Sequence, residues 1–327
     1  MGIKNYLKFI DKVIINNSNK DTNNYDAIYF DCNYLLHYLI YNCADDDYLF
    51  LKLEYFIRFV IKHFNCKKIY IIFDGECDDK DNNPKLQTHI KRYKNKDINE
   101  ENLNYDKQII KPKCDLILKF KNKFIEILNK LNITNIDIDD DYNFGEGDFK
   151  IMNSIYKNDD KNILIFTIDS DLILISYNIC IAKNYNINIL CNTKPINIIN
   201  VNYLNKNYDL DYVLLSLLLG NDYLPKISNI NYNDLFNNYI TYYNINNQRI
   251  INNNTININN LSYFISIIIY NKNIKFNYNK LSKYRFDIYI NNLLWCLNTY
   301  KVISYNNPFI QDSLSIIYIY NFIYSIF

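Results

Sequence analysis

The chain has 327 residues, 49% of them hydrophobic and 22% charged, with a formal net charge of +1. A chain of this size and apolar content buries a core, which excludes global disorder, and its near-zero charge confines any nucleic-acid surface to a local patch. Asn, Ile, Tyr and Lys dominate while Gly (5) and Pro (5) are scarce, a bias that fits AT-rich coding sequence, as in a parasite or a large DNA virus, better than a structural demand.

Taken in chain order, three short β-branched or aromatic runs end at an acid. Residues 27–30 lead into Asp31, 69–73 into Asp74 and 163–168 into Asp169. Continuous apolar runs separated by helical stretches read as buried parallel strands. Residues 47–64 carry Leu49, Leu51, Leu53, Phe56 and Val60 at helical spacing, and 114–131 show the same period. Residues 145–157 open a further helix, with Glu146 and Asp148 in its first turn, where a helix N-terminus favours negative charge. An apolar helix over 210–219 is stopped by Gly220. Beyond about 230, Asn-rich tracts at 244–260 and 271–279 separate Ile/Tyr-rich segments that read as mostly helical with long loops. The expected fold is α/β, a mostly parallel central sheet flanked by helices. Residues 1–230 form its main domain and 231–327 a largely helical C-terminal extension packed on it.

In an open α/β sheet the ligand lies outside the carboxyl ends of the strands. Asp31, Asp74 and Asp169 are therefore expected at one edge. Four of the five glycines (Gly75, Gly145, Gly147 and Gly220) sit within two residues of an acid, and glycine is kept where backbone approaches closely or takes positive φ. Five short stretches, at 31–37, 73–75, 145–150, 168–171 and 220–225, contribute Asp31, Asp74, Glu146, Asp148, Asp169, Asp171 and Asp222. Two carboxylates ~4 Å apart repel by ~4 kcal/mol at an effective dielectric of ~20. Seven converging ones need protons or cations, and hard oxygen ligands suit Mg²⁺ or Mn²⁺. Two such ions could activate water and clamp a phosphodiester. A lone strand-end Asp is more often a cap or turn, and the DDD runs at 45–47 and 139–141 read as solvated loops.

In their order these stretches resemble the XRN family of 5′→3′ exoribonucleases, within the flap-endonuclease-like (PIN-like) nucleases. The opening MGI with YLKFI at 6–10 is similar to that family's Met-Gly start and aromatic first helix. DCNYLLH at 31–37 matches its D-x-N-x-x-x-H. GEGDFKIM at 145–152 is close to its GEGEHKIM, with Asp148 in place of Glu and Phe149 in place of His. DSDL at 169–172 is similar to DADL, and GNDYLP at 220–225 to GNDFLP. The resemblance covers roughly residues 1–240. It implies a PIN-like fold and a metal-dependent 5′→3′ exoribonuclease that hydrolyses single-stranded, 5′-monophosphorylated RNA to nucleoside 5′-monophosphates in RNA decay. Pattern alone singles out Asp31, Asp74 and Asp169. Glu146, Asp148, Asp171 and Asp222 join them as ligands of two Mg²⁺ or Mn²⁺ ions by resemblance. His37 would stack on the 5′-terminal base or, on the plainer reading, be satisfied within a helix. Asn33 would orient Asp31.

A basic run at 85–94 brings Lys85, Lys91 and Arg92 near one helical face. The family holds the 5′-monophosphate with a Lys, a Gln and two Arg from a similar segment, which here corresponds to Lys85, to Gln87 or His89, and to Lys91 with Arg92. The plainer reading is a solvated basic helix. An ammonium is a point charge where guanidinium forms a bidentate fork, so the phosphate grip differs. Lys226 stands where the family usually has His, and no counterpart of its second conserved region appears by residue 327, implying a more open substrate channel.

The alternatives are a flap endonuclease or 5′-DNA exonuclease of the same superfamily, or a degenerate nucleic-acid-binding module. The first typically shows EAEA where this chain has GEGD, and a Gly-rich hairpin where residues 226–245 contain no glycine. The second is disfavoured because all seven acidic positions are filled. The eight cysteines show no CxxC pair and no Cys/His zinc spacing, which points to the reducing cytoplasm (host cytoplasm for a viral protein) or the nucleus. Charged residues interrupt the start, Tyr6 stands where a myristoylation signal needs Ser or Thr, and no apolar run suits a span of ~20 residues, so no membrane role is expected.

Overall fold

The computed structural model describes residues 24–41, 43–76, 112–193, 196–204, 209–221, 230–252 and 255–273, with isolated positions among 3–10, 224–227 and 289–297. The described residues divide into two compact units, one from 10–204 and the other from 1–9 and 205–297.

The first unit holds a six-stranded sheet. β1 (Asn24–Asp31) is followed by α1 (Cys32–Ile40), α2 (Asp46–His63), β2 (Asn65–Ile72), α3 (Asp115–Lys130), β3 (Ile136–Asp139), α4 (Gly147–Lys157), β4 (Asn162–Phe166), α5 (Ser170–Lys183), β5 (Asn186–Thr193) and β6 (Ile196–Asn200). The strand order is β3-β2-β1-β4-β5-β6. All neighbours are parallel except β5 and β6, which pair antiparallel. Right-handed crossovers carry α2 and α3 over one face as the chain moves outward through β2 and β3. The return to β4 reverses direction, which puts α4 and α5 on the other face. The reversal point lies between β1 and β4, where an open sheet leaves a crevice at its carboxyl edge.

Alternation along the strands divides the core between the two faces. Ile28 and Phe30 of β1, Ile69 and Ile71 of β2, and Leu164 and Phe166 of β4 pack with Leu35, Leu53, Phe56, Phe120 and Phe124 from α1–α3. Phe30 meets Phe124 edge-on at 5.3 Å between ring centroids. Ala27, Tyr29, Ile72, Ile163 and Ile165 are buried on the other side, where α4 lies against β1 and β2. Among the described residues the expected strands and helices are present within a few residues, the basic helix expected at 85–94 lies outside them, and the sheet also holds β3, β5 and β6.

The amino edge of the sheet is stapled by asparagine. β1, β2, β4 and β5 each begin with Asn, and the amides bond across strands. Asn65 Nδ2 donates to Asn24 Oδ1 (3.0 Å), Asn186 Nδ2 to Asn162 Oδ1 (2.7 Å) and Asn200 Nδ2 to Asn186 Oδ1 (3.2 Å). Asn186 is the centre of this row, since both its donor and its acceptor are used. Asn186→Ala removes a hydrogen bond from each of Asn162, Asn200 and Asn202 and is expected to lower stability by ~1–2 kcal/mol, read as a lower urea midpoint with unchanged slope.

The second unit contains α6 (Leu210–Leu217), α7 (Tyr232–Asn246), a ribbon of β7 (Ile251–Asn252) and β8 (Thr255–Ile256), and α8 (Ile258–Asn271). α7 opens on a capping box between Asn231 and Asp234. It ends on Asn247 in the left-handed region, the role more often given to glycine. No described helix is long and apolar enough to cross a membrane.

Candidate active site

Asp31 is both the last residue of β1 and the cap of α1. Its Oδ1 accepts the Tyr34 N–H at 3.0 Å, and the Thr167 hydroxyl donates to its Oδ2 at 3.2 Å. Thr167 is fully buried just past β4, and its Oγ1 also accepts the Asp169 N–H at 3.1 Å. One hydroxyl thus links the acids that follow the two strands flanking the reversal point. Asp169 in turn caps α5, its Oδ1 accepting the Asp171 N–H at 2.9 Å, and Asp171 is itself buried.

Asp74 lies two residues beyond β2. Its N–H donates to Asn33 Oδ1 at 3.0 Å, and its Oδ1 accepts the Gly147 N–H at 2.6 Å. An N-terminal helix amide is a favourable partner for a carboxylate. The approach depends on glycine, because a Cβ at position 147 would stand 2.8 Å from that Oδ1. A Cβ at position 75 would come 1.7 Å from the Asn143 carbonyl oxygen. With no side chain there, Gly75 N–H donates to Gly145 O (2.8 Å) and Gly145 N–H to Glu76 O (3.2 Å), zipping the two loops together. Glu146, the buried N-cap residue of α4, and Asp148 in its first turn follow directly.

Burial first, and then the charges of Asp74 and Asp169, push the Asp31 carboxyl up to about 7 against the pull of the Tyr34 and Thr167 hydrogen bonds. Asp74 and Asp169 are therefore close enough to Asp31 for their charges to oppose its ionisation. These hard oxygen donors suit a divalent ion, and a cation would relieve the repulsion around Asp31. Among the described residues no three His, Cys, Asp or Glu side chains already form a cage for one.

Six of the seven expected acids lie in the first unit at the carboxyl end of its sheet or at the start of the helices that follow. Asp222, Lys85, His89, Lys91 and Arg92 lie outside the described residues. His37 is exposed in the last turn of α1. Asn33, expected to orient Asp31, instead bonds the Asp74 backbone. The run at 139–141 is no solvated loop. Asp139 pairs with Lys150 at 3.0 Å, Asp140 with Lys121 at 3.3 Å, and the buried Asp141 accepts the Lys113 N–H at 2.5 Å. The lysines that partner it come from α3, from α4 and from the residues just before α3, so no local pattern marks the run as structural. At 45–47 the acids behave as surface capping groups, Asp45 accepting the Tyr48 N–H at the start of α2.

Fold and site together define an α/β protein with a carboxylate-lined edge at the reversal point of a parallel sheet. No family model matches the chain. A protein of Acanthamoeba polyphaga mimivirus assigned as a 5′-3′ exonuclease is 28% identical over 181 residues, covering 44% of this chain and 29% of that relative. The match thus takes in less than a third of the relative's length. Among solved structures, the catalytic core of Rad2 in complex with DNA substrate is similar at a TM-score of 0.49 and 14% identity, over 95% of this chain and 90% of that one. The T5 D15 protein co-crystallised with metal ions is similar at 0.41 and 11%, over 84% and 88%. In sequence the chain is similar to a viral 5′-3′ exonuclease, in line with the resemblance carried by its motifs.

Proposed function

We propose that this chain is a metal-dependent 5′→3′ exoribonuclease that removes nucleoside 5′-monophosphates from single-stranded RNA bearing a 5′-monophosphate. The observation that carries the reading is the meeting of Asp31 with Asp74 and Asp169 at the carboxyl edge, where Asp31 is held near 7 by burial and by its two neighbours. The ordered motifs and the mimivirus relative support the reaction class. The GEGD and GNDYLP stretches support RNA over DNA.

Two divalent ions, Mg²⁺ or Mn²⁺, would supply an activated water and neutralise charge on the phosphodiester. Asp31, Asp74, Glu146, Asp148, Asp169, Asp171 and Asp222 would hold them. Thr167 and the Gly147 amide keep Asp31 and Asp74 oriented before any ion arrives. Lys85, His89, Lys91 and Arg92 would receive the 5′-phosphate, and His37 would stack on the terminal base. The natural setting is RNA decay in the cytoplasm, of the host if the protein is viral.

The reading is tested by offering the protein, with Mn²⁺ or Mg²⁺, RNAs carrying a 5′-phosphate, a 5′-hydroxyl or a 5′-triphosphate, and a DNA flap. Stepwise loss of nucleotides from the 5′-phosphate RNA, abolished by EDTA, is expected. Preference for the flap overturns the RNA assignment, and equal cleavage of the three RNAs overturns the phosphate pocket. Binding without cleavage of any substrate would reduce the chain to a nucleic-acid-binding module.

A further inference from the structure

We infer that Lys150 is a positioning residue that sets the orientation of Asp74 in the candidate active site. Its side chain is buried at 6% exposure, and the ammonium has three oxygen acceptors. These are the Phe73 carbonyl at 3.0 Å, the Asp140 carbonyl at 2.7 Å and Asp139 Oδ1 at 3.0 Å. Three acceptors match the three N–H groups an ammonium carries. Burying a charge is tolerated only with such pairing, so the group is committed to this place.

What it holds is the peptide that leads into Asp74. The oxygen of that peptide, on Phe73, takes the Lys150 N–H, and its hydrogen, on Asp74, goes to Asn33 Oδ1 at 3.0 Å. The peptide plane is thus clamped at both ends. Lys150 belongs to α4, the helix whose Gly147 amide binds Asp74 Oδ1. One helix therefore fixes Asp74 twice, through an N-terminal amide on its carboxylate and through an ammonium on its backbone. The same ammonium ties in Asp139 and Asp140 at the end of β3, so three chain segments are set relative to one another. Losing the clamp frees the peptide plane to rotate and carries the Asp74 carboxylate out of register with Asp31.

The inference rests on the reading of Asp74 as a metal-site acid, and the experiment separates the two. Lys150→Met is compared with wild type and with Asn186→Ala, a destabilised variant altered at the opposite edge of the sheet. Two quantities are read at a temperature where all are folded: the Mn²⁺ concentration for half-maximal binding and cleavage, and hydrogen-exchange protection of the Gly147 amide. Lys150→Met is expected to need ~10–100-fold more Mn²⁺, as removal of a group supporting a metal ligand commonly does, and to lose protection at Gly147. Asn186→Ala should change neither. A Lys150→Met protein with wild-type Mn²⁺ dependence and a protected Gly147 amide overturns the inference. If wild type itself neither binds Mn²⁺ nor cleaves, the nuclease reading falls, while the Gly147 amide still decides whether Lys150 positions Asp74. Should Lys150→Met fail to fold, Lys150→Gln, which keeps N–H donors, is judged by the same two measurements.

Discussion

Asp31→Asn is expected to cut metal-dependent cleavage on the order of 10³-fold or more and, at the same time, to make the metal-free protein more stable at neutral pH. The two effects have one cause. The Asp31 carboxyl is held at about 7 in the folded chain against an ordinary value of 3.8, by burial first and then by Asp74 and Asp169. A group whose folded pKa is raised contributes its full stability below the unfolded pKa. That contribution is lost as pH rises through the folded pKa. The window is therefore roughly pH 4–7, and the loss at its top is at most about 4 kcal/mol, from ~1.4 kcal/mol per pKa unit. An amide of the same shape has no charge to bury, so the variant lacks this penalty. Urea denaturation in EDTA should show wild type losing ground to Asp31→Asn as pH goes from 4 to 8. Mn²⁺ should flatten the wild-type slope and leave the variant unmoved. Parallel pH curves for the two proteins, or normal cleavage by the variant, would remove Asp31 from the centre of the site.

The legible parts of this fold are those where burial leaves a one-dimensional signature. The carboxyl halves of β1, β2 and β4 lie under helices on both faces and read as unbroken apolar runs. Their amino ends do not. β2 begins Asn-Cys-Lys-Lys with alternating exposure, so its first half pairs through backbone and carries no hydrophobic mark. β3 is a short Ile-Asp-Ile-Asp edge strand, only partly buried, that looks like a turn. α5 carries no such signature for the opposite reason. Every residue from Ser170 to Cys180 is buried, so no polar stripe reveals its helical period.

The site divides along the same line. Asp31, Asp74 and Asp169 were visible because each terminates an apolar run. Thr167 and Lys150 carry no such mark, and Asn33, expected beside Asp31, serves Asp74 instead, although the structure makes all three the groups that orient those acids. Their partners lie 136, 77 and 41 positions away, so only the sheet topology brings them together. The glycines were the usable hint. Gly75 and Gly147 persist in a chain that supplies Asn at left-handed positions such as 132, 184 and 247. What they answer is close approach, to the Asn143 carbonyl and the Asp74 carboxylate, which no asparagine could allow.

The largest loss of stability is expected from Asp211→Ala in the second unit. Asp211 lies in the first turn of α6 and is 1% exposed. Its carboxylate accepts the Ile251 N–H at 2.8 Å, the Ile250 N–H at 3.0 Å and the Tyr239 hydroxyl of α7. Arg249 Nη1 donates to the same hydroxyl at 3.2 Å, its guanidinium lies 4.6 Å from the Tyr243 ring centroid, and it pairs with Asp209 at 3.1 Å. One acid thus joins α6, α7 and the start of the β7–β8 ribbon. Burial nevertheless raises its pKa above the ordinary value against the pull of these donors, so the charge is held at a cost. A well-packed apolar replacement of the whole cluster could match it, but removing the acceptor alone strands two amides and a phenol. The expected cost is ~3–5 kcal/mol, read as a lower urea midpoint. Hydrogen exchange should show the Ile250 and Ile251 amides losing protection first, ahead of the α7 backbone. Asp211→Asn, which keeps one acceptor oxygen and turns an amide donor toward other donors, should recover only part of the loss. An Asp211→Ala protein within ~1 kcal/mol of wild type, the range of an ordinary hydrogen bond, would mean that water or a neighbouring group satisfies those donors and that Asp211 is no keystone.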